Sequence, residues 1–337
     1  MSVIKGAIIG FGKLGLLHLA QFEALENSKI LYICETDKVI SNILKKNFEN
    51  IQIISDYEKI KLDEIDFVAV TTPSHSHYSI AKYFLQKKKI VFCEKPLCTS
   101  FVDAEDLRNI SLENHTMLFT GYMYDFHPTF EFVYKILKEN ILGRVFYSKA
   151  EMYVSQYMVK KNVSSWRFNR KFSGGGVLIT QTSHILYFLS KIFGEVDSVK
   201  AFTKNIYSKD NIEDYVHVML GYKDTICSID ASWSAHNYRT PYVKFHFEGE
   251  NGSIELTEDK VKLYLKNQVG KYNKGLNLFN IVELDKEINF DVAGRHYASQ
   301  CNYFINQVKQ KKIDLENLTS SVEVQKIIDL VYKDGNK

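Results

Sequence analysis

Cysteine is scarce and forms no pattern: the five residues Cys34, Cys93, Cys98, Cys227 and Cys301 are odd in number, and none makes a C-x-x-C pair. That excludes a disulfide framework and a zinc knuckle. Proline is also scarce, four in 337 residues, which leaves no Pro-rich linker. No apolar run approaches the roughly 20 residues that span a bilayer. Met1-Ser2-Val3-Ile4-Lys5 leads straight into a strand pattern without the apolar core of a secretory signal. The expectation is a cytoplasmic chain with no membrane partner. Neither sign of charge dominates: 43 Lys and Arg face 40 Asp and Glu, a net +3, so the basic footprint of a nucleic-acid binder is missing. What remains is an ordinary globular composition, 45% hydrophobic with 21 Tyr and 22 Phe, long enough for two domain cores.

The first segment present is a strand, Val3 to Ile9, running into Gly10-Phe11-Gly12-Lys13-Leu14-Gly15 and a helical pattern through Leu25. In that context G-x-G-x-x-G has a mechanism. The first glycine allows a tight turn, the second admits a pyrophosphate, and the third lets helix and strand pack closely. A second strand, Ile30 to Cys34, ends at Glu35, 20 residues past Gly15, where an acid bonds ribose hydroxyls and repels a 2′-phosphate. NAD is therefore the expected cofactor, with NADP possible. Asp37 and Glu35 also suit a helix cap. The strand Ile65 to Thr72 leads into Pro73-Ser74-His75-Ser76-His77 and a helix from Tyr78 to Lys87. His75 and His77 have H-x-H spacing but no third ligand nearby in sequence, so no metal is expected, and they are read as residues lining the cofactor crevice. Lys89 to Cys93 is the next strand and delivers Glu94-Lys95-Pro96 to its carboxyl end. A lysine there has a tunable pKa and is a candidate proton donor or acceptor. Strands alternating with helices mean a doubly wound parallel sheet, closed by Met117 to Gly121.

Gly10-x-Gly12-x-x-Gly15, Thr72-Pro73-x-x-x-His77-x-x-x-Ala81 and Glu94-Lys95-Pro96 stand in the order and spacing of one family. Gly174-Gly175-Gly176-Val177-Leu178-Ile179-Thr180-Gln181-Thr182-Ser183-His184, Glu213-Asp214 and Phe247 to Leu256 extend the likeness. Together they resemble the glucose–fructose oxidoreductase / inositol dehydrogenase (Gfo/Idh/MocA) family. The resemblance implies an α/β fold: a Rossmann domain over residues 1–121, then an α+β domain over 122–337 with an open-faced, mostly antiparallel sheet. That sheet is expected to make a homo-dimer or homo-tetramer. The implied reaction is hydride transfer on sugars, inositols or nucleotide sugars. Gly10, Phe11, Gly12, Lys13, Leu14, Gly15, Glu35, Thr72, Pro73, His77, Glu94 and Lys95 would hold the cofactor. Lys95, Thr180 and His184 would form the catalytic group, with Tyr122, Trp166, Arg167 and Gln181 joining them around the substrate. Where the family has aspartate, this chain has Thr180, which can hydrogen-bond but carries no charge.

In the second domain a strand is expected from Arg144 to Val154, then the loop Ser164-Ser165-Trp166-Arg167-Phe168-Asn169-Arg170. Trp166 offers a stacking face for a sugar, and Arg167 or Arg170 a grip on an anion. The triple glycine would let ligand or cofactor approach the backbone, and His184 would share a helix face with Thr180 one turn before it. Period-2 alternation from Val196 to Ile288 predicts hairpins with turns at Lys223-Asp224 and Asn251-Gly252. Lys266 to Leu278 reads as a mobile loop, and Asp291 to Lys311 and Val322 to Asp334 as closing helices. His236, Tyr238, Arg239, Arg295, His296 and Tyr297 are further pocket candidates. The expected activity is an NAD(P)-dependent sugar dehydrogenase or ketoreductase in which Lys95 and His184 handle the hydroxyl proton. Arg167, Arg170 and Lys171 tilt the substrate toward a nucleotide sugar or surface-polysaccharide precursor. The alternatives are inositol oxidation, a non-catalytic NAD(P)/sugar sensor, and net non-redox chemistry with NAD returned each cycle.

Overall fold

The alternating apolar segments of the first part become six parallel strands in a computed structural model that describes residues 3–155, 165–207, 212–285, 290–292 and 294–334. Ser164, Ile288 and Ala293, over which expected elements ran, lie outside the described residues. The strands are β1 (Ile4–Ile9), β2 (Ser28–Cys34), β3 (Gln52–Ile54), β4 (Phe67–Val70), β5 (Ile90–Glu94) and β6 (Leu118–Gly121), ordered β3-β2-β1-β4-β5-β6. Their order reverses between β1 and β4, the switch point at which such sheets open a ligand crevice beyond their carboxyl ends. Helices α1 (Lys13–Glu23), α2 (Lys38–Asn47), α3 (His77–Gln86) and α4 (Phe101–Glu113) connect them. Both faces are covered, so the strands read as continuous apolar runs. Val68, Val70, Val91, Cys93 and Leu118 join the core that also holds Ile80, Phe84 and Leu107 of α3 and α4.

The second part contains α5 (Pro128–Lys138), β7 (Val145–Tyr153), a π turn over Leu178–Thr182, and α6 (Ser183–Phe193). Hairpin strands follow: β8 (Ser198–Lys204), β9 (Tyr215–Tyr222), β10 (Thr225–Ser232), β11 (Tyr242–Gly249), β12 (Gly252–Thr257), β13 (Lys260–Leu265) and β14 (Gly275–Asn280). They form one eight-stranded sheet, β14-β13-β12-β11-β7-β10-β9-β8, antiparallel except where β10 runs parallel to β7. Alternation buries one face, as with Val216, Val218 and Leu220 on β9, and leaves Tyr215 and Met219 exposed on the other. The loop expected over Lys266 to Leu278 is shorter than that. Gly275–Asn280 alternates and pairs residue for residue with β13, and Asn277 Nδ2 donates to the Leu263 carbonyl at 3.3 Å.

Two closing helices follow, α7 (Arg295–Gln310) and α8 (Leu315–Asp334). Here the division differs from the expected 1–121 and 122–337. The compact units are Met1–Met123 with Ile288–Val322, and Tyr124–Glu287 with Glu323–Lys337. The physical reason lies in α7 and the start of α8. Phe304 enters an aromatic cluster of the first sheet, with ring centroids 5.2 Å from Phe67, 5.3 Å from Phe92, 5.6 Å from Phe119 and 6.1 Å from Phe22. Asn317 bonds both the N–H and the carbonyl of Thr120, at 2.8 and 3.0 Å.

Phe304→Ala should therefore lower stability by about 3–5 kcal/mol. Val102→Ala, on an exposed position of α4, should change it by less than about 0.5 kcal/mol. Urea unfolding followed by circular dichroism measures both.

Candidate cofactor and active site

The turn after β1 closes tightly on itself. Gly10 has φ +89°, and a Cβ there would stand 2.7 Å from Thr72 Cγ2; one on Gly15 would stand 2.3 Å from the Gly10 carbonyl oxygen. Thr71 Oγ1 donates to that same carbonyl at 2.6 Å. Gly12 is different: nothing lies within 4 Å of its Cβ position. Helix α1 starts there with no side-chain cap, which suits its first-turn N–H groups to an anion. Phe11 is buried, Leu14 half-buried and Lys13 exposed. The Phe11 N–H donates to Glu35 Oε2 at 2.8 Å, and Glu35 Oε1 accepts the Asp37 N–H at 2.8 Å. Asp37, not Glu35, caps α2, accepting from Val39 and Ile40 at 2.8 and 3.0 Å. A half-buried carboxylate is thus held at the end of β2, beside the glycine turn. These residues fit a dinucleotide: an open backbone cradle for the pyrophosphate and an acid for the ribose.

The ends of β4 and β5 carry the next group. Ser76 Oγ lies 2.8 Å from both Thr72 Oγ1 and the Pro73 carbonyl oxygen, donating its one hydrogen to the carbonyl and accepting from the Thr72 hydroxyl. His77 does not line the crevice as expected. It is 1% exposed, with Nδ1 2.8 Å from the Pro96 carbonyl oxygen and Nε2 2.8 Å from that of Thr72. It is a strut between the two strand ends, and burial holds its pKa below the ordinary range. Glu94 turns its carboxylate inward, Oε1 lying 2.6 Å from His18 Nε2 and Oε2 accepting the Lys95 N–H at 3.2 Å, while Lys95 is half-buried and joined to Pro96 by a cis peptide. Tyr122, expected against substrate, is 1% exposed, and burial pushes its phenol well above the usual range. It is a core residue.

In the second unit, Gly175 and Gly176 pack closely against other parts of that unit. A Cβ on Gly175 would fall 1.8 Å from Tyr332 Oη, and one on Gly176 1.9 Å from the Glu213 carbonyl oxygen. Glu213 Oε1 accepts from the Gly176 and Leu178 N–H groups at 2.8 and 3.1 Å and from the Tyr332 hydroxyl at 2.9 Å. Burial raises the Glu213 pKa. Above it the chain makes the π turn, a geometry rare in general and frequent at functional sites. Thr180 lies inside that turn, buried, with Oγ1 donating to the Gly176 carbonyl at 2.7 Å. Gln181 is half-buried; His184 is buried on α6, its ring 5.1 Å from Tyr124 at 88°. Trp166 is half-buried under the Arg167 guanidinium, 4.6 Å from its ring, and Arg170 lies 4.8 Å from the Tyr332 ring. Tyr238 packs at 5.2 Å against Tyr153 of β7. Among the described residues no three His, Cys, Asp or Glu side chains converge to hold a metal, and no helix is long and apolar enough to cross a membrane.

The structure thus groups Gly10 to Gly15, Glu35, Thr72, Pro73, Glu94 and Lys95 along the carboxyl edge of the first unit, and Trp166, Arg167, Thr180, Gln181 and His184 within the second. Sequence reasoning missed His18, Glu213 as an anchor, and Tyr332. His18 left a signal, three residues past Gly15 on the buried stripe of α1, and Glu213 left one in the Glu213-Asp214 pair that carried part of the family likeness.

A parallel sheet of this order, a glycine turn opening on a helix N-terminus, and an acid after β2 define an NAD-binding oxidoreductase of the Rossmann type. Residues 4–122 match the family described as an oxidoreductase family with an NAD-binding Rossmann fold, and residues 130–255 match the GFO/IDH/MocA C-terminal domain. The chain belongs to the Gfo/Idh/MocA family of oxidoreductases. Among its relatives, D-apiose dehydrogenase of Paraburkholderia graminis is 22% identical over 79% of this chain and 70% of its own. Levoglucosan dehydrogenase of Pseudarthrobacter phenanthrenivorans is 22% identical over 77% and 75%. The 2,7-anhydro-N-acetylneuraminate hydratase of Escherichia coli is 24% identical over 75% and 68%. A solved levoglucosan dehydrogenase in complex with NADH and levoglucosan has the same fold, TM-score 0.89 at 18% identity, over 99% of this chain and 98% of that one.

Gly12→Ala tests the cradle. The fold has room for the methyl group, so the thermal midpoint should hold within about 4 °C, while NADH affinity, read by fluorescence titration, falls at least about tenfold as the added group meets the phosphates. Gly15→Ala should instead destabilise the fold. In the same titration, Glu35→Ser should cut the preference for NADH over NADPH by about tenfold.

Proposed function

We propose that the chain is an NAD-dependent dehydrogenase or ketoreductase acting between a secondary alcohol and the ketone of a sugar or polyol. The observation that carries this reading is Lys95, delivered by β5 to the same sheet edge as the open glycine turn. Bound NAD supplies the hydride acceptor at the nicotinamide. The chain supplies the proton path. Lys95 takes the hydroxyl proton as the C–H hydride departs and returns it in reduction; His184 shares that duty, and Thr180 offers an uncharged oxygen. Glu35 supports NAD over NADP.

The D-apiose and levoglucosan dehydrogenases among the relatives support a sugar. The expected nucleotide sugar rested on Arg167, Arg170 and Lys171. With Arg167 and Arg170 stacked on Trp166 and Tyr332, the broader class of sugar or polyol is the one proposed. Self-association through the open sheet face belongs to the same reading, supported by exposed Phe202, Met219, Ile226, Tyr264 and Leu276. A second reading, net non-redox chemistry with NAD returned unchanged, is favoured by the hydratase relative.

The test is an absorbance screen at the nicotinamide band with monosaccharides, anhydrosugars and inositols. The expected result is turnover that Lys95→Ala lowers by about 100-fold or more while NADH still binds. Product formed with no net change in NADH would select the second reading. Binding without turnover across the panel would overturn both and leave a sensor.

A further inference from the structure

Strand alternation decides where Glu94 goes. β5 sends Val91 and Cys93 into the core shared with α3 and α4, and sends Phe92 and Glu94 to the face of α1 and α7. There Phe92 meets Phe22 and Phe304, with ring centroids 6.2 and 5.3 Å away. The buried stripe Gly15, His18, Leu19 and Phe22 of α1 brings His18 beneath the carboxylate. Cys301, on the buried stripe of α7, closes the far side, its Sγ 3.6 Å from His18 Nδ1. His18 is 0% and Glu94 4% exposed. The His18 ring lies against Phe92 and Phe22, with centroids 4.9 and 5.9 Å away. Glu94 Oε2 accepts the Lys95 N–H at 3.2 Å, and Tyr297 of α7 lies near enough for the carboxylate to help raise its pKa, after burial.

A carboxylate so deep in a core is tolerated only with donors around it. His18 provides the shortest of these contacts. We infer that His18 is a positioning residue for the Glu94-Lys95-Pro96 turn: it holds the Glu94 carboxylate inside the first unit, which sets the backbone of Lys95 and keeps that negative charge away from the cofactor crevice. Replacing the imidazole with an apolar group removes the inward partner. The carboxylate then gains most by rotating toward water at the carboxyl edge of β5. A negative charge arriving there favours the cationic nicotinamide of NAD+ over neutral NADH. The inference rests on the cofactor reading of that edge and needs no substrate.

The experiment is fluorescence titration of the full chain with NADH, and competition by NAD+, for wild type, His18→Leu, His18→Gln, Glu94→Gln and the pair His18→Leu/Glu94→Gln. In His18→Leu the NADH dissociation constant should rise about tenfold and that of NAD+ less, shifting their ratio at least about threefold toward NAD+. His18→Gln, whose amide can donate to Glu94, should restore the wild-type ratio. In the Glu94→Gln background His18→Leu should change the ratio by less than about 1.5-fold, since no charge is left to move. Equal weakening of both nucleotides in His18→Leu, or the same ratio shift with and without the Glu94 charge, would overturn the inference. If His18→Leu does not fold, His18→Asn, too short to reach Glu94, is read against the same two outcomes. Wild-type chain that binds neither nucleotide would instead overturn the cofactor reading of the edge.

Discussion

A carboxylate removed from water must find hydrogen-bond donors, and the functional loops of this chain are rooted where three glutamates find theirs. Glu35 takes the Phe11 N–H and so ties the end of β2 to the glycine turn. Glu94 takes His18 and ties the end of β5 to α1. Glu213 takes two backbone N–H groups at the mouth of the π turn and a tyrosine hydroxyl from the last helix. Each anchor trades desolvation of one acid for the position of a loop that carries candidate chemistry. Loss of a partner of Glu94 or Glu213 leaves an acid in the core, so those contacts are hard to vary one at a time.

The parts of the fold legible in the sequence are those governed by short-range periodicity. Apolar strands, the glycine turn before a helix, and the hairpins of the second sheet all follow from patterns a few residues long. The parts that were not legible depend on partners far away in the chain. Nothing local says that Phe304 belongs among Phe67, Phe92 and Phe119, so residues 288–322 read as part of the second domain. His77 and Tyr122 look like crevice residues because they follow strand ends; each turns instead into the core, His77 onto two carbonyl oxygens. Glu94 and Lys95 are neighbours in sequence, and the pleat alone separates their fates: the acid follows Phe92 inward, and the lysine comes at the edge.

The glycines show how one residue type serves two ends. At Gly12 the missing side chain leaves empty space at a helix N-terminus, which is what a bound phosphate needs. At Gly175 and Gly176 the space is already filled, by Tyr332 and by the Glu213 backbone. A run of three glycines before a helix is therefore no sign of a ligand in itself. The distinction needs the coordinates, because Tyr332 lies more than 150 residues further along the chain.

Thr180 follows from the same accounting. Its hydroxyl donates to the Gly176 carbonyl at 2.7 Å, a bond that an aspartate carboxylate could not make, since both oxygens would be acceptors. The Gly176 N–H is already given to Glu213. An acid at position 180 would thus face a carbonyl oxygen on one side and lie within a turn already anchored by a buried carboxylate, whose own pKa burial has raised. Threonine closes the π turn through an uncharged hydrogen bond. Under the proposed function, the proton then falls to Lys95 and His184, since Thr180 carries no charge.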